Sequence, residues 1–305
     1  MADSLVPNAR RFDGFADAYD THRPSPPSEL GALLASYAGT DAPAVVDLGS
    51  GSGLSSRWAA AWAASVVGVE PSADMRAVAE SRPMANVSYR SGLSDDTGLP
   101  DRSADIVLAV QAMHWMEPVG THAEVARLLR PGGFFAIVDA DWPPILGVAE
   151  AEAAWITLFR RIRVFEARAH GGVTLEQLRR PIEADDPDLR AEHVHDPHRG
   201  RLMPGGVRSW AKSEHLERLI SSGTFTLARE LCLHQPADGG ADRFIALLRS
   251  QGSYQGLRQL GLTDGEIGVT DFEAATHRAV ARARHPPTLS LSWRVRLGVT
   301  PAPGD

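Results

Sequence analysis

Between residues 45 and 138, five short apolar runs alternate with helical segments, and this alternation constrains the fold more than any other feature of the chain. The apolar runs occupy residues 45–48, 66–69, 87–89, 106–110 and 134–138. Helical periodicity fills 54–64, 73–81 and 121–129 between them, with Ser72 placed to cap the second helix. Strands that are apolar throughout and separated by helices imply βαβ crossovers and a parallel sheet covered on both faces. Pro131-Gly132-Gly133 stops the third helix and turns the chain into the next strand.

The second half has a different pattern. Ala151, Ala154, Trp155, Leu158, Ile162 and Phe165 recur at helical spacing and predict an amphipathic helix over 151–169. Residues 181–206, rich in Pro, Asp, His and Gly, predict loop or edge structure, followed by a helix over 207–221. In 224–234, Phe225, Leu227, Leu231 and Leu233 take alternate positions, interrupted by Arg229. Leu289, Leu291, Trp293, Val295 and Leu297 alternate without a break and predict a half-buried strand. The tail 300–305 is expected to be disordered, and no internal repeat is present.

Charge narrows the partners. The 305 residues carry a net charge of −7, split as −8 over residues 1–144 and +1 over 145–305. Neither half shows the dense basic field that a nucleic-acid backbone needs, so a small-molecule substrate is expected and no nucleic acid. Arginine outnumbers lysine 30 to 1, Lys212 being the lone lysine, a bias that reads as a GC-rich gene rather than a binding surface. Arg160, Arg161, Arg163 and Arg168 on the predicted helix read as a solvated face. The single cysteine, Cys232, excludes an intramolecular disulfide and a multi-cysteine metal site. No apolar stretch approaches the roughly 20 residues that span a bilayer, and the first residues lack the apolar core of a secretory signal. A cytoplasmic protein with no membrane partner is expected; the sequence does not set its oligomeric state.

The first strand runs into Asp47-Leu48-Gly49-Ser50-Gly51-Ser52-Gly53, three glycines in five residues. A turn of this kind lets a ligand approach the backbone, and the carboxyl end of a parallel strand is where open α/β sheets bind ligands. The dinucleotide pattern G-x-G-x-x-G fails because its sixth position is Leu54, which disfavours a nicotinamide oxidoreductase, and no P-loop is present. Asp47 weighs against a pyrophosphate and suits a ligand with a positive amino group. Glu70, at the end of the second strand, is placed to accept hydrogen bonds from both hydroxyls of a ribose.

In order along the chain, VVDLGSGSGLSS, VVGVEPSADM, DRSADIVLAVQAMHWM and ARLLRPGGFFAI resemble the motifs of class I S-adenosylmethionine-dependent methyltransferases. The chain is similar in particular to the small-molecule branch that includes trans-aconitate methyltransferases. It shares a Phe12 or Phe15 to Tyr19, Asp20, Arg23 and Pro24 motif and a run from Val110 through Gln111, Ala112, Met113 and His114 to Trp115. The resemblance implies an α/β, Rossmann-like seven-stranded, mostly parallel sheet with an antiparallel last strand, plus an inserted helical cap. It divides the chain into an N-terminal lid segment and first helix (1–44), a cofactor-binding core (45–142), a helical cap insertion (143–223), completion of the sheet with a further helical insertion (224–299) and a tail (300–305).

The same resemblance implies S-adenosylmethionine as cofactor. Asp47, Gly49, Gly51 and Gly53 would surround its methionine part, Glu70 would hold the ribose, and Gln111 would touch it from the fourth strand. Met75 would pack on the adenine or serve as helix–sheet core, while Ser94 and Asp95 would sit by the adenine amino group, Asp95 alternatively being a turn acid. Tyr19 would close over the methionine part.

A sulfonium methyl is already electrophilic, so the protein has mainly to align a nucleophile and exclude water. A base is needed only when the accepting atom must lose a proton. His114 is the first candidate base, with loop anchoring as its alternative role, and His215 is the second. Trp115, Trp142 and Trp155 are expected to line the substrate pocket beneath the cap. The run His193-Val194-His195-Asp196-Pro197-His198 contains metal-ligand residue types, but Pro197 interrupts it; a polar loop is expected and no metal. The expected activity is methyl transfer to a small acceptor, a carboxylate, hydroxyl or activated carbon of a specialised metabolite. The competing readings keep the cofactor but catalyse a cyclisation or elimination, or only bind a partner.

Overall fold

The computed structural model describes residues 24–169, 174–182, 201–202 and 207–302. Helix α1 (Ser28–Tyr37) precedes the alternation that the apolar runs predict: β1 (Ala44–Leu48), α2 (Leu54–Ala59), β2 (Ser65–Val69), α3 (Ala73–Glu80), β3 (Val87–Arg90), β4 (Ala104–Val110), α4 (Pro118–Leu128) and β5 (Leu129–Ala140). Helices α5 (Ala149–Ala169) and α6 (Leu175–Leu178) follow, then a small antiparallel pair, β6 (Arg201–Leu202) and β7 (Arg208–Ser209), and helix α7 (His215–Ser221). The chain ends with β8 (Leu227–Ala237), helices α8 (Gly240–Arg249), α9 (Gly252–Gln259), α10 (Asp264–Ile267) and α11 (Val269–Arg282), and β9 (Leu289–Val299).

Seven strands form one sheet in the order β3-β2-β1-β4-β5-β9-β8. β1 to β5 pair in parallel, and β9 runs antiparallel to both β5 and β8. This is the expected mostly parallel sheet with an antiparallel last strand. The strand order reverses at β1, so the carboxyl ends of β1 and β4 flank the crevice where such sheets bind ligands.

Alternate residues of each strand face opposite sides. Val45, Val66, Ile106, Phe134 and Ala136 join Leu30 and Leu34 of α1 and Trp155, Ile162, Phe244 and Phe272 of the later helices in one apolar core. Val46, Leu48, Val107, Phe135 and Ile137 pack with Met113, Met116, Val125 and Leu128 on the other face. Burying each large apolar side chain contributes about 1.5–3 kcal/mol, which makes the two faces the main stabilising feature of the sheet.

Several local expectations change. The helix expected over 54–64 stops at Ala59 and continues only as turns. α4 begins at Pro118 rather than residue 121, because proline suits the first helical position and Glu117 accepts from the Val119 and Gly120 amides. The helix expected over 207–221 is instead β7, the 3-10 turn Lys212–Glu214 and α7. A tertiary hydrogen bond from Trp210 N to His114 O, 2.8 Å, holds the backbone extended there and overrides helical periodicity. Thr300 and Pro301 are not free: Thr300 N and Oγ1 donate to Gly133 O at 3.0 and 2.8 Å, and Gly132 N donates to Pro301 O at 3.1 Å. Two arginines of the α5 cluster are structural ties, Arg161 donating to Glu266 O and Arg168 to Arg180 O. Among the described residues, no helix is long and apolar enough to cross a membrane.

Candidate active site

A cavity of about 1180 Å³, including its open mouth, lies at the carboxyl ends of β1, β2 and β4. The turn after β1 supplies Gly49, Ser50, Gly51 and Ser52; β2 supplies Val69 and Glu70; the segments after β3 and β4 supply Ser94, Asp95, Gln111, Trp115 and Met116. Gly51 has φ +53°, and a Cβ there would meet no atom within 4 Å, so its Cα faces open space. Gly53 has φ +82°, and a Cβ there would overlap the Tyr89 hydroxyl. One glycine therefore opens the cavity and the other lets β3 pack beneath the turn.

Two acids support this turn. Asp47 is fully buried, with Oδ2 accepting from Ser55 and Ser56 Oγ at 2.7 and 2.6 Å. Burial raises its pKa from the ordinary 3.8 to about 6, against the lowering effect of both serine hydroxyls. Glu70 accepts from Gly51 N through Oε2 (3.0 Å) and from Ser72 N through Oε1 (2.9 Å). Burial also raises the Glu70 pKa, opposed by these amides and by Arg76. Each Glu70 oxygen keeps a second lone pair for a ligand hydroxyl. Ser72 caps α3 by accepting from Met75 N, as its position predicts, and this places the Met75 side chain on the cavity wall.

The turn after β4 is strained: Gln111 has φ +54°, rare for a residue with a side chain and costing about 1–3 kcal/mol. Its amide oxygen lies 2.5 Å from Lys212 Nζ, which also reaches Asp139 Oδ1 at 2.9 Å. Asp139, buried near the end of β5, accepts from Arg296 NH1 at 2.9 Å through Oδ2. His114 Nδ1 is 3.9 Å and His215 Nε2 3.8 Å from the same carboxylate, both beyond hydrogen-bond length. Burial lowers the His215 pKa to about 4, with Arg296, Arg218 and Lys212 adding to that effect and Asp139 opposing it. His215 is thus a neutral imidazole near pH 7 and forms no ion pair.

The cavity has the chemistry of a polar ligand's site. Asp47 Oδ1, Ser50 Oγ, Asp95 Oδ1 and Gln111 Nε2 are buried and meet no hydrogen-bond partner among the described residues. Unpaired buried atoms cost about 1–3 kcal/mol each, a cost that a ligand with matching donors and acceptors removes. The family model described as a methyltransferase domain matches residues 46–137, the segment that carries all four.

Residues 46–137 match a methyltransferase domain.

The chain is similar to an uncharacterized methyltransferase of Mycobacterium tuberculosis, 36% identical over 128 residues that cover 42% of this chain and 51% of the relative. It is also similar to the malonyl-[acyl-carrier protein] O-methyltransferase of Marinomonas sp., 31% identical over 171 residues, 53% of this chain and 60% of the relative. The chain spans about half the length of the first of these curated relatives. A solved structure of a candidate type II methyltransferase from Anaeromyxobacter dehalogenans superposes with TM-score 0.60 at 22% identity, over 92% of this chain and 99% of that one. At that identity it shows a shared fold.

Of the expected cofactor residues, Gly49, Gly51, Glu70, Met75, Ser94, Asp95 and Gln111 line the methyltransferase cavity. Asp47 and Gly53 stand behind the turn, one bonded to serines and the other packed on Tyr89. Tyr19 lies outside the described residues, as do His193, His195 and His198. Trp115 lines the cavity with its ring centroid 4.4 Å from that of His114. Trp142 and Trp155 do not line it: they stack on each other at 6.1 Å, and Trp155 packs on Phe244 and Phe272 in the core. Aromatic residues spaced along α5 are consistent with a lid or a core from sequence; the packing of α5 against α11 makes Trp155 core, while Trp142, before α5, packs half-buried against it. His215 lies behind Asp139 rather than on the wall. Ser50, Ser55, Ser56, Asp139 and Lys212 were not foreseen. The serines follow Asp47 by three, eight and nine residues across the glycine turn and the first turn of α2, so they are near it in sequence; Asp139 and Lys212 meet only through tertiary structure.

Proposed function

We propose that the protein is an enzyme that transfers a methyl group from S-adenosylmethionine to a small-molecule acceptor of specialised metabolism, at a carboxylate, hydroxyl or activated carbon. Three buried polar atoms without partners among the described residues, Ser50 Oγ, Asp95 Oδ1 and Gln111 Nε2, belong to residues lining one cavity, with Asp47 Oδ1 behind its turn, and they carry this reading. When bound, S-adenosylmethionine supplies an electrophilic sulfonium methyl. Asp47 provides the negative charge for its ammonium, Glu70 the acceptors for its ribose, and Met75, Ser94 and Asp95 the surround for its adenine. Gln111 and Trp115 bound the far end, where the acceptor enters and from which Trp115 helps to exclude water.

His114, beside Trp115 but not on the cavity wall, is the candidate to take a proton when the acceptor is a hydroxyl or carbon acid, with the Asp139 carboxylate 3.9 Å from its Nδ1 favouring the imidazolium. A carboxylate acceptor needs no base. The Marinomonas relative, named for O-methylation of a malonyl group, supports the carboxylate option. Calorimetry with S-adenosylhomocysteine tests the cofactor site, and mass spectrometry of S-adenosylhomocysteine formed with a panel of small acids and phenols tests transfer. Binding by the wild type that is lost in Asp47→Ala and Gly51→Val supports the reading. No binding by the wild type, or product formed without stoichiometric S-adenosylhomocysteine, refutes it.

A further inference from the structure

Lys212 is the single lysine of a chain that otherwise carries its positive charge on 30 arginines. It belongs to the turn Lys212–Glu214, outside the strands that build the cavity. Its ammonium nevertheless joins the ends of two of them, 2.5 Å from Gln111 Oε1 after β4 and 2.9 Å from Asp139 Oδ1 in β5.

An ammonium only donates hydrogen bonds, so it fixes which way the Gln111 amide points. The oxygen faces Lys212, and the NH2 is turned away from it. That NH2 is buried with no acceptor among the described residues, and Gln111 lines the cavity. Flipping the amide would set its NH2 against the ammonium, donor against donor. A guanidinium is a wide planar fork and a poor replacement for a compact charge held between two single oxygens.

The same contact balances charge. Asp139 faces Lys212 from the turn, Arg296 from β9, His114 from the segment after β4 and His215 from α7. Arg296 is shared with Glu230 of β8, which also pairs Arg294, itself paired to Asp141. Among the described residues, three carboxylates thus meet three cations, and losing Lys212 leaves a negative charge in excess beside two imidazoles.

We propose that Lys212 is a positioning residue of the methyl-transfer site: it orients the Gln111 amide so that the cavity is offered a hydrogen-bond donor, and it balances the buried Asp139 carboxylate beside His114. The ligand group that meets Gln111 Nε2 is then an acceptor, a carboxylate or carbonyl oxygen. The inference rests on reading the cavity as the cofactor and acceptor site.

The test uses the full chain, S-adenosylhomocysteine as probe in calorimetry, and NMR titration of the His114 and His215 imidazoles without ligand. Lys212→Met is expected to weaken S-adenosylhomocysteine binding about 10-fold and to raise the midpoint of at least one histidine by about one pH unit. Lys212→Arg is expected to restore the midpoints, which follow charge, but not the affinity, which follows geometry. A folded Lys212→Met with wild-type affinity and wild-type midpoints overturns the proposal, and full recovery of affinity in Lys212→Arg overturns the orienting role. Should Lys212→Met not fold, Gln111→Glu keeps the acceptor for Lys212 and removes the donor; unchanged affinity in that variant overturns the proposal. A wild type that binds no S-adenosylhomocysteine fails the reading of the cavity, while the ligand-free histidine midpoints still decide whether Lys212 balances Asp139.

Discussion

The Gly51 amide donates to Glu70 Oε2 at 3.0 Å across 19 residues of sequence, joining the turn after β1 to the acid that ends β2. The contact holds the glycine turn in its ligand-ready shape and orients the carboxylate toward the cavity at the same time. Replacing Glu70 with Ala removes both effects. The expected loss of S-adenosylhomocysteine affinity is about 2–3 kcal/mol, as for hydrogen bonds to a charged group. Calorimetry reads it directly, and an affinity within twofold of wild type would exclude Glu70 from ligand binding.

Asp47 links stability and binding to pH with opposite signs. Its pKa is raised from 3.8 in the ordinary state to about 6 when folded. Between those values the folded chain binds more protons than the unfolded one, so stability falls as pH rises, and the whole cost is present above about 6. Asp47→Asn should therefore raise the melting temperature above about pH 6, where the charge costs about 2–3 kcal/mol, and change it little near pH 4. Ligand affinity should do the reverse in the wild type. If Asp47 meets the cofactor ammonium as proposed, the ionised carboxylate is required, and S-adenosylhomocysteine binding is expected to weaken as pH drops below about 6. A wild-type binding curve as flat as that of Asp47→Asn would contradict this.

The glycines of the turn should separate cleanly. Gly53→Ala forces a Cβ into the Tyr89 hydroxyl at positive φ, and should cost at least about 2–3 kcal/mol of stability from combined overpacking and strain. Gly51→Val places its side chain in open cavity space, so its main effect should be loss of S-adenosylhomocysteine binding, with about 1–2 kcal/mol of backbone strain. Thermal melting paired with calorimetry distinguishes the two. Equal loss of binding per folded molecule in both variants would show that the turn is one steric unit.

Trp155 tests whether α5 belongs to the core or to a lid. Buried against Trp142, Phe244 and Phe272, it should cost about 3–5 kcal/mol when replaced by Ala. Cofactor affinity of the protein that remains folded should be unchanged. A stable Trp155→Ala protein with altered ligand affinity would return α5 to the pocket.

Where the sequence was read correctly, a single local rule decided the outcome. The five apolar runs became β1 to β5 because each is long enough only for a strand, although β3, with Ser88 exposed, is apolar on one side alone. Ser72 capped α3 because a hydroxyl one residue before a helix has a free amide within reach. Local rules misled where a distant partner outbid them. Trp210, bonded to His114 O, kept residues 208–209 out of a helix, and the pairing of Thr300 with Gly133 ordered residues expected to be loose.

The sequence by itself determined the parallel sheet, the glycine turn that borders the cavity and the acids beside it. These follow from periodicity and from residue types close together in the chain. Only the tertiary structure decided that Trp155 is core with Trp142 packed against it, that His215 is shielded and neutral, and that Lys212 meets Gln111 and Asp139. Side chains 101 residues apart, as Gln111 and Lys212 are, leave no period or spacing to read. Their meeting depends on how the sheet, its last strand and the segment between β5 and β8 pack together.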